Sequence, residues 1–189
     1  MDAVDLLTAD HNRVRGLFAR FQEAEESGDT SQLVSLGESI LTELEVHATI
    51  EEEIFYPEVS GAGDGIREVV TEGVEEHHVV KTLAGEITAL EPGDEVWVAK
   101  CKVMIENVEH HAEEEETELF PAVRKALSAD ELVAMGERME ARKASLGAPT
   151  AEDKQHLSVE ELRRLAREQQ IPGRSDMNRE ELVATVAPE

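Results

Sequence analysis

One cysteine, Cys101, is all the thiol chemistry in this 189-residue chain. That excludes an internal disulfide framework and any thiolate-built zinc or iron–sulfur site. Aromatic residues make up only 3%, so a core has to come from Leu, Val, Ile and Ala, a composition that suits helices. Positive charge is scarce as well: 18 Lys and Arg face 43 Asp and Glu, for a formal net charge of −25. Such a surface repels nucleic acid and anionic membranes. No apolar run approaches the roughly 18 residues that cross a bilayer, and no basic-then-apolar leader opens the chain. The expectation is a soluble, cytoplasmic protein with no membrane partner. What is present in quantity is apolar residues, at 40%. That is enough for a sizeable core, so this is not a disordered acidic tail.

Hydrophobic spacing predicts a helix over 4–26, with Val4, Leu7, Val14, Phe18 and Phe21 on one stripe, broken at Ser27-Gly28-Asp29. A second helix is predicted over 31–56, stopping at Pro57. A third follows over 66–90 after the glycine-rich loop 61–65, and a fourth over 95–127, bent at Pro121. A shorter helix over 129–145 packs outside. Four long amphipathic helices with short connections read as an all-α, up-down-up-down four-helix bundle. Composition changes after Leu146. The division is therefore a bundle with its extra helix at 1–146, a linker at 147–154 and a small helical module at 155–189. From Glu152 onward nine acidic residues face six basic ones, so almost all of the acidity belongs to the bundle.

The bundle carries an internal repeat. His47-Ala-Thr-Ile-Glu51 and His111-Ala-Glu-Glu-Glu115 both read His-x-x-x-Glu, with Pro57 and Pro121 six residues beyond the glutamate. His11 precedes Val14, Leu17, Phe18 and Phe21 much as His77 precedes Val80, Leu83, Ala84 and Ile87. Each half thus offers one His, then His-x-x-x-Glu. All six polar residues fall on the apolar stripes, and residues four apart share a helix face. The pairs His47/Glu51 and His111/Glu115 therefore point inward together.

Two buried carboxylates without a counter-charge are expensive, and no Lys or Arg lies on these stripes. A pair of cations removes the cost, with Glu51 and Glu115 suited to bridging them. Imidazole and carboxylate without thiolate suit iron, manganese or zinc. A single His-x-x-x-Glu among so many acidic residues is close to chance; six polar residues in matched order on one stripe are not. His110 with Glu114 is the alternative pair on the fourth helix. The remaining glutamates of 51–53 and 113–116 read as solvated. Tyr56 aligns with Phe120 and is expected to pack away from the ligand face, and Cys101 lies too far up the core to reach a metal.

This pattern resembles the hemerythrin-like (HHE cation-binding) family over about residues 1–127. The marks are Asp10-His11, His47-x-x-x-Glu51, Glu76-His77 and His111-x-x-x-Glu115, followed by Phe-Tyr-Pro or Leu-Phe-Pro. The resemblance implies a non-haem diiron centre, two iron ions with an oxo or hydroxo bridge, held by His11, His47, Glu51, His77, His111 and Glu115. Oxygen-carrying hemerythrins add a fifth histidine on the third helix and an Asp five residues after the last His. Here Gly73 and Lys81 flank His77 at four residues, and position 116 is Glu. That departure disfavours reversible oxygen carriage. It favours reaction with hydrogen peroxide or nitric oxide, in a catalase-like or nitric-oxide-handling role with an unidentified electron donor, or sensing of O2 or iron.

The tail resembles the N-terminal helical module of the Rho terminator and its SAP-like relatives, on Leu157-Ser-Val-Glu-Glu-Leu162, Ile171-Pro-Gly-Arg-Ser175 and Arg179-Glu-Glu-Leu-Val183. The resemblance implies phosphate contacts from Arg163, Arg164, Arg167, Arg174 and Arg179. The segment is not net basic and has no stacking aromatic, so a docking appendage that binds a protein partner is the competing reading.

Overall fold

The Asp2 carboxylate accepts the Asp5 N–H and opens α1 (Ala3–Ser27), which Gly28 closes in the left-handed conformation. In the computed structural model, which describes residues 1–63, 65–148 and 157–186, α2 (Thr30–Ile50) and α4 (Ile66–Thr88) follow, then α5 (Glu95–Glu114). These four long helices form the up-down-up-down bundle. Helix α7 (Ala129–Ser145) opens with a complete capping box between Ser128 and Glu131 and lies across α1 and α2. Among the described residues there is no strand, and no helix is long and apolar enough to cross a membrane.

The second and fourth long helices do not end or merely bend where proline predicts. Each passes through one wide π turn, Glu51–Phe55 and Glu115–Leu119, and continues as α3 (Tyr56–Val59) and α6 (Phe120–Ala126). Tyr56 N–H bonds to Glu51 O and Phe120 N–H to Glu115 O, five residues back in both cases. Proline in a regular helix clashes with the carbonyl four residues earlier. The wider turn relieves that clash, so Pro57 and Pro121 sit inside helical structure. Each π turn starts on the glutamate of a His-x-x-x-Glu pair, and such turns recur at functional sites.

Two apolar clusters pack above and below a polar layer. One holds Phe18, Phe21, Ile40, Trp97 and Met104; the other holds Leu7, Ile50, Phe55, Val59, Phe120 and Met135. All six polar residues of the repeat lie between them, on the same helices.

The C-terminal module, α8 (Val159–Glu168) and α9 (Arg179–Thr185), has its own small core of Leu162, Leu165, Ile171, Leu182 and Val186. It rests on α1. Gly16 makes this approach possible, since a Cβ there would lie 2.4 Å from Gln169 O and 2.9 Å from Ile171 Cδ1. Arg163, Arg164, Arg167 and Arg179 are exposed and Arg174 is half-buried. Arg174 donates to Ile171 O and Arg179 to Leu157 O. Most of the 147–154 linker, His156 and the last three residues lie outside the described residues.

A buried ionic group ties these parts together. Asp10, Arg13 and Lys143 are all at least nine-tenths buried. Lys143 on α7 bonds both oxygens of Asp10. Arg13 bonds Asp10 Oδ1 at 2.7 Å, Glu43 at 3.0 Å and the Ala184 carbonyl of α9 at 3.1 Å. Burial works against the Asp10 charge, but Lys143 and Arg13 hold its carboxyl well below the usual range. Breaking a buried pair from one side leaves an uncompensated charge, at roughly 3–5 kcal/mol. Lys143→Ala is therefore expected to lower unfolding stability by about 3 kcal/mol in denaturant titration; a loss under about 0.5 kcal/mol, the usual size at plain surface positions, would show that the pair holds nothing.

Candidate metal centre

The polar layer is built by the internal repeat. His11 comes from α1, His47 and Glu51 from the end of α2 and its π turn, His77 from α4, and His111 and Glu115 from α5 and its π turn. All six are buried, Glu51 completely and Glu115 with 1% of its surface exposed. The structure brings all of them together. His110 stays outside, its side chain 64% exposed beside Glu114, so the alternative pair does not enter the layer.

The rings face each other through Nε2: His11 and His47 at 3.2 Å, His77 and His111 at 3.1 Å. Glu51 Oε2 lies 3.2 Å from His47 Nε2 and 3.3 Å from His77 Nε2, one ring from each half of the bundle. Glu115 Oε2 stands likewise between His11, at 3.4 Å, and His111, at 3.8 Å. Two clusters result: His11, His47, Glu51 and Glu115 form one, and Glu51, His77 and His111 the other, each with its ligand atoms within 4.8 Å of one another. Glu51 belongs to both.

An outer layer of carboxylates fixes the rings. His11 Nδ1 meets Glu116 at 2.9 Å, His77 Nδ1 meets Glu52 at 2.9 Å and His111 Nδ1 meets Glu76 at 2.7 Å. Arg15 and Lys81, each four residues beyond its histidine, neutralise Glu116 and Glu52. Asp10 holds the fourth position 3.6 Å from His47 Nδ1, drawn away by Lys143 and Arg13. Carboxylates behind metal-ligating imidazoles commonly set the tautomer and raise ligand basicity. An Nδ1–H given to the carboxylate leaves Nε2 as a lone pair aimed inward. His77 and His111 then present two lone pairs to each other, which is repulsive unless a cation lies between. With metal–nitrogen bonds of about 2.1 Å, nitrogens 3.1 and 3.2 Å apart subtend about 95–100° at the metal, an ordinary angle for neighbouring ligands.

The unpaired atoms point the same way. His47 Nδ1, both oxygens of Glu51 and Glu115 Oε2 are buried with no hydrogen-bond partner, and such orphans are rare unless something binds them. Burial, reinforced by the charge of Glu115, pushes the Glu51 carboxyl far above its usual range when no cation is near. Burial also presses His47 down to about 4 and lowers His77. For His11 burial is outweighed by Glu115 and Glu116, which raise it to about 9. The residues present fit a pair of cations.

The chain matches the hemerythrin HHE cation binding domain over residues 2–123. It belongs to that family. Among curated proteins it is 31% identical over 154 residues to the uncharacterized protein Rv2633c of Mycobacterium tuberculosis, covering 79% of this chain and 90% of that one. It is 29% identical over 149 residues to a DNA nickase of Nostoc sp., covering 77% of this chain but only 40% of the nickase. A crystal structure of an HHE cation-binding domain-containing protein from Mycobacterium kansasii, a homolog of Rv2633c, shares the fold: TM-score 0.64, 24% identity, 98% of this chain and 99% of that one.

Within this HHE domain Tyr56 and two glutamates contradict the sequence expectation. Tyr56 does not pack away from the site: its hydroxyl donates to Glu115 Oε1 at 2.9 Å and lies 3.4 Å from His111 Nε2. The π turn is the reason. One extra residue in a turn swings everything after it by about 100°, carrying Tyr56 from the outside wall to the polar layer. The space it takes is that of position 73. A Cβ on Gly73 would lie 3.0 Å from Tyr56 Oη and 3.3 Å from His111 Cε1. Where oxygen carriers bring a fifth nitrogen, this chain brings a phenol. Glu52 and Glu116, expected in solvent, instead meet His77 and His11 at 2.9 Å. Each directly follows a glutamate of the polar layer, and nothing in residue type marks it as turned toward a ring.

Metal binding has to displace protons, because a ligand must be deprotonated. Near pH 7.5 the metal-free centre holds a proton on His11, raised to about 9, and burial beside Glu115 favours the protonated form of Glu51. Titrating metal-free protein with a divalent cation in weak buffer is expected to release protons as the centre fills. Apparent affinity should climb with pH up to about 9 and decline as pH falls. Loading without proton release would contradict this arrangement.

Proposed function

We propose that this chain holds a non-haem dinuclear iron centre, oxo- or hydroxo-bridged, that reacts with small oxygen species, hydrogen peroxide first and nitric oxide or O2 as alternatives. The observation that carries this reading is Glu51, shared between two facing histidine pairs drawn from both halves of the bundle. His11, His47, His77 and His111 with Glu51 and Glu115 are the ligands in this reading, and manganese or zinc would use the same donors. Bound there, a redox-active metal pair supplies the electrons for O–O bond chemistry.

The chain's own residues do the rest. The outer carboxylates keep the imidazoles in one tautomer. Tyr56 places an oxygen beside His111 and Glu115 as a seventh donor, on the side where oxygen carriers have nitrogen. Among the described residues none near the pair is left over as a dedicated acid or base, which suits a reaction in which the oxygen species supplies its own protons, as in peroxide disproportionation. Protection against oxidative stress follows from that chemistry. The DNA cleavage named for the Nostoc relative belongs to a protein of which this chain matches less than half, and a net charge of −25 opposes DNA contact.

A second reading, an iron or oxygen sensor, draws on the contact of Asp10 with Arg13 and of Arg13 with Ala184, which joins the surroundings of His47 to the C-terminal module. In that version the metal state changes the order of the module, which then meets a protein or nucleic-acid partner. Amide exchange in α8 and α9 that is identical with and without metal would rule it out.

Iron-loaded protein is expected to carry about two irons per chain, with near-ultraviolet oxo-bridge absorption. It should consume peroxide faster than free iron, with at least about a hundredfold loss in His47→Ala or Glu115→Ala, within the range usual for groups acting directly in catalysis. Zinc alone, or turnover no better than free iron, would contradict the proposal. Tyr56→Phe should retain both ions but lose any visible phenolate-to-iron absorption; an unchanged spectrum would remove Tyr56 from the donor set.

A further inference from the structure

Above the four histidines, between α2 and α4, lies a cleft of about 690 Å³. Its floor is the imidazole layer. Its walls are Phe18 and Val14 of α1, Leu41 and Leu44 of α2, and Val80 and Ala84 of α4. A water molecule takes up about 30 Å³ of liquid, so hydrogen peroxide, nitric oxide or O2 would leave most of this space unused. The volume is that of an organic-ligand pocket, typically about 300–1,000 Å³.

Charge at the opening narrows the class of ligand. Glu38 and Glu45 stand at the rim on α2. The two nearby cations are already engaged, Arg15 by Glu116 and Lys81 by Glu52, both through paired contacts. A carboxylate or phosphate head would meet acid with no free counter-charge. A neutral molecule with a hydrocarbon body and one polar end would lay its body along Phe18, Leu41 and Ala84 and present that end to the histidine floor.

We propose that this cleft binds neutral organic hydroperoxides, so that the substrate class of the centre extends from hydrogen peroxide to alkyl and aryl hydroperoxides; this rests on the peroxide reading above. Reductive cleavage of R–O–O–H breaks the O–O bond, takes up two electrons and two protons, and gives R–OH and water, the protons coming from solvent water at the open mouth of the cleft. The two electrons are those of a reduced metal pair, one from each ion, so a single turnover consumes one hydroperoxide per pair and requires no further reductant.

The test has a binding arm and a reaction arm. Zinc-loaded protein, which is diamagnetic, is titrated with cumyl alcohol and followed by NMR. Contacts are expected to the methyl groups of Leu41, Val80 and Ala84, and to weaken at least tenfold in Ala84→Phe and in Thr42→Trp, an exposed rim position that leaves the core intact. Ferrous protein is then mixed with cumene hydroperoxide or hydrogen peroxide in single turnover. One equivalent of cumyl alcohol per metal pair is expected, with the ratio of the two rates falling about tenfold in both variants. Absence of cumyl alcohol from the cleft at millimolar concentration would overturn the proposal. So would tighter binding of octanoate than of the alcohol, which would mark the site as one for anions. Consumption of hydrogen peroxide without reaction of bound cumene hydroperoxide would overturn the extended substrate class alone. Binding of the alcohol with neither peroxide consumed would overturn the peroxide reading on which it rests.

Discussion

Two carboxylates, Glu51 and Glu115, sit at the centre of the bundle with almost no solvent access. Everything around them answers to that burden. Like charges at close range in a low-dielectric interior cannot both ionise unaided, and among the described residues no lysine or arginine faces them. The four Nε2 atoms that do face them are little remedy on their own: burial works against charge on His47 and His77, and Glu52 and Glu76 turn His77 and His111 so that Nε2 lone pairs point inward, which leaves His11 alone as a cationic partner. Cations make acids and lone pairs into partners. The negative outer layer, in turn, is tolerable because Arg15, Lys81, Arg13 and Lys143 stand behind it.

The arrangement has the approximate two-fold character of its sequence. Asp10 and Glu76, each just before a histidine of one helix, back the histidine of the next helix in the same half. Glu116 and Glu52, each just after a glutamate of the layer, back a histidine of the opposite half. The symmetry breaks at Asp10, which Lys143 and Arg13 pull toward α7 and the C-terminal module, leaving His47 Nδ1 without a partner. One imidazole of the polar layer is thereby held more loosely than the other three, on the side where the chain adds elements outside the four-helix bundle.

Much of this was legible in the sequence because it is periodic. Four helices, the short outer helix and all six inward residues follow from apolar spacing and from the repeat of His-x-x-x-Glu. His111 rather than His110 follows from register with Pro121. One physical cause of what escaped is the π turns. They are invisible to a 3.6-residue period, and they carry Tyr56 inward and let Pro57 and Pro121 sit within helices. Uniform glutamate runs hid Glu52 and Glu116, since no contrast in residue type marks which member turns in. The ion pair of Asp10 and Lys143 was beyond reach because its members are 133 residues apart and belong to helices that spacing alone could not dock. The seating of α8 and α9 on Gly16 escaped for the same reason.

The central claim is that one buried carboxylate joins two metal sites. Anomalous diffraction at the iron edge, on crystals of iron-loaded protein, tests it most directly. The account predicts two peaks, one among His11, His47 and Glu115 and one between His77 and His111, with Glu51 reaching both. A single peak at one histidine pair, or metal only at the exposed group of Glu76, His110 and Glu114, would contradict it.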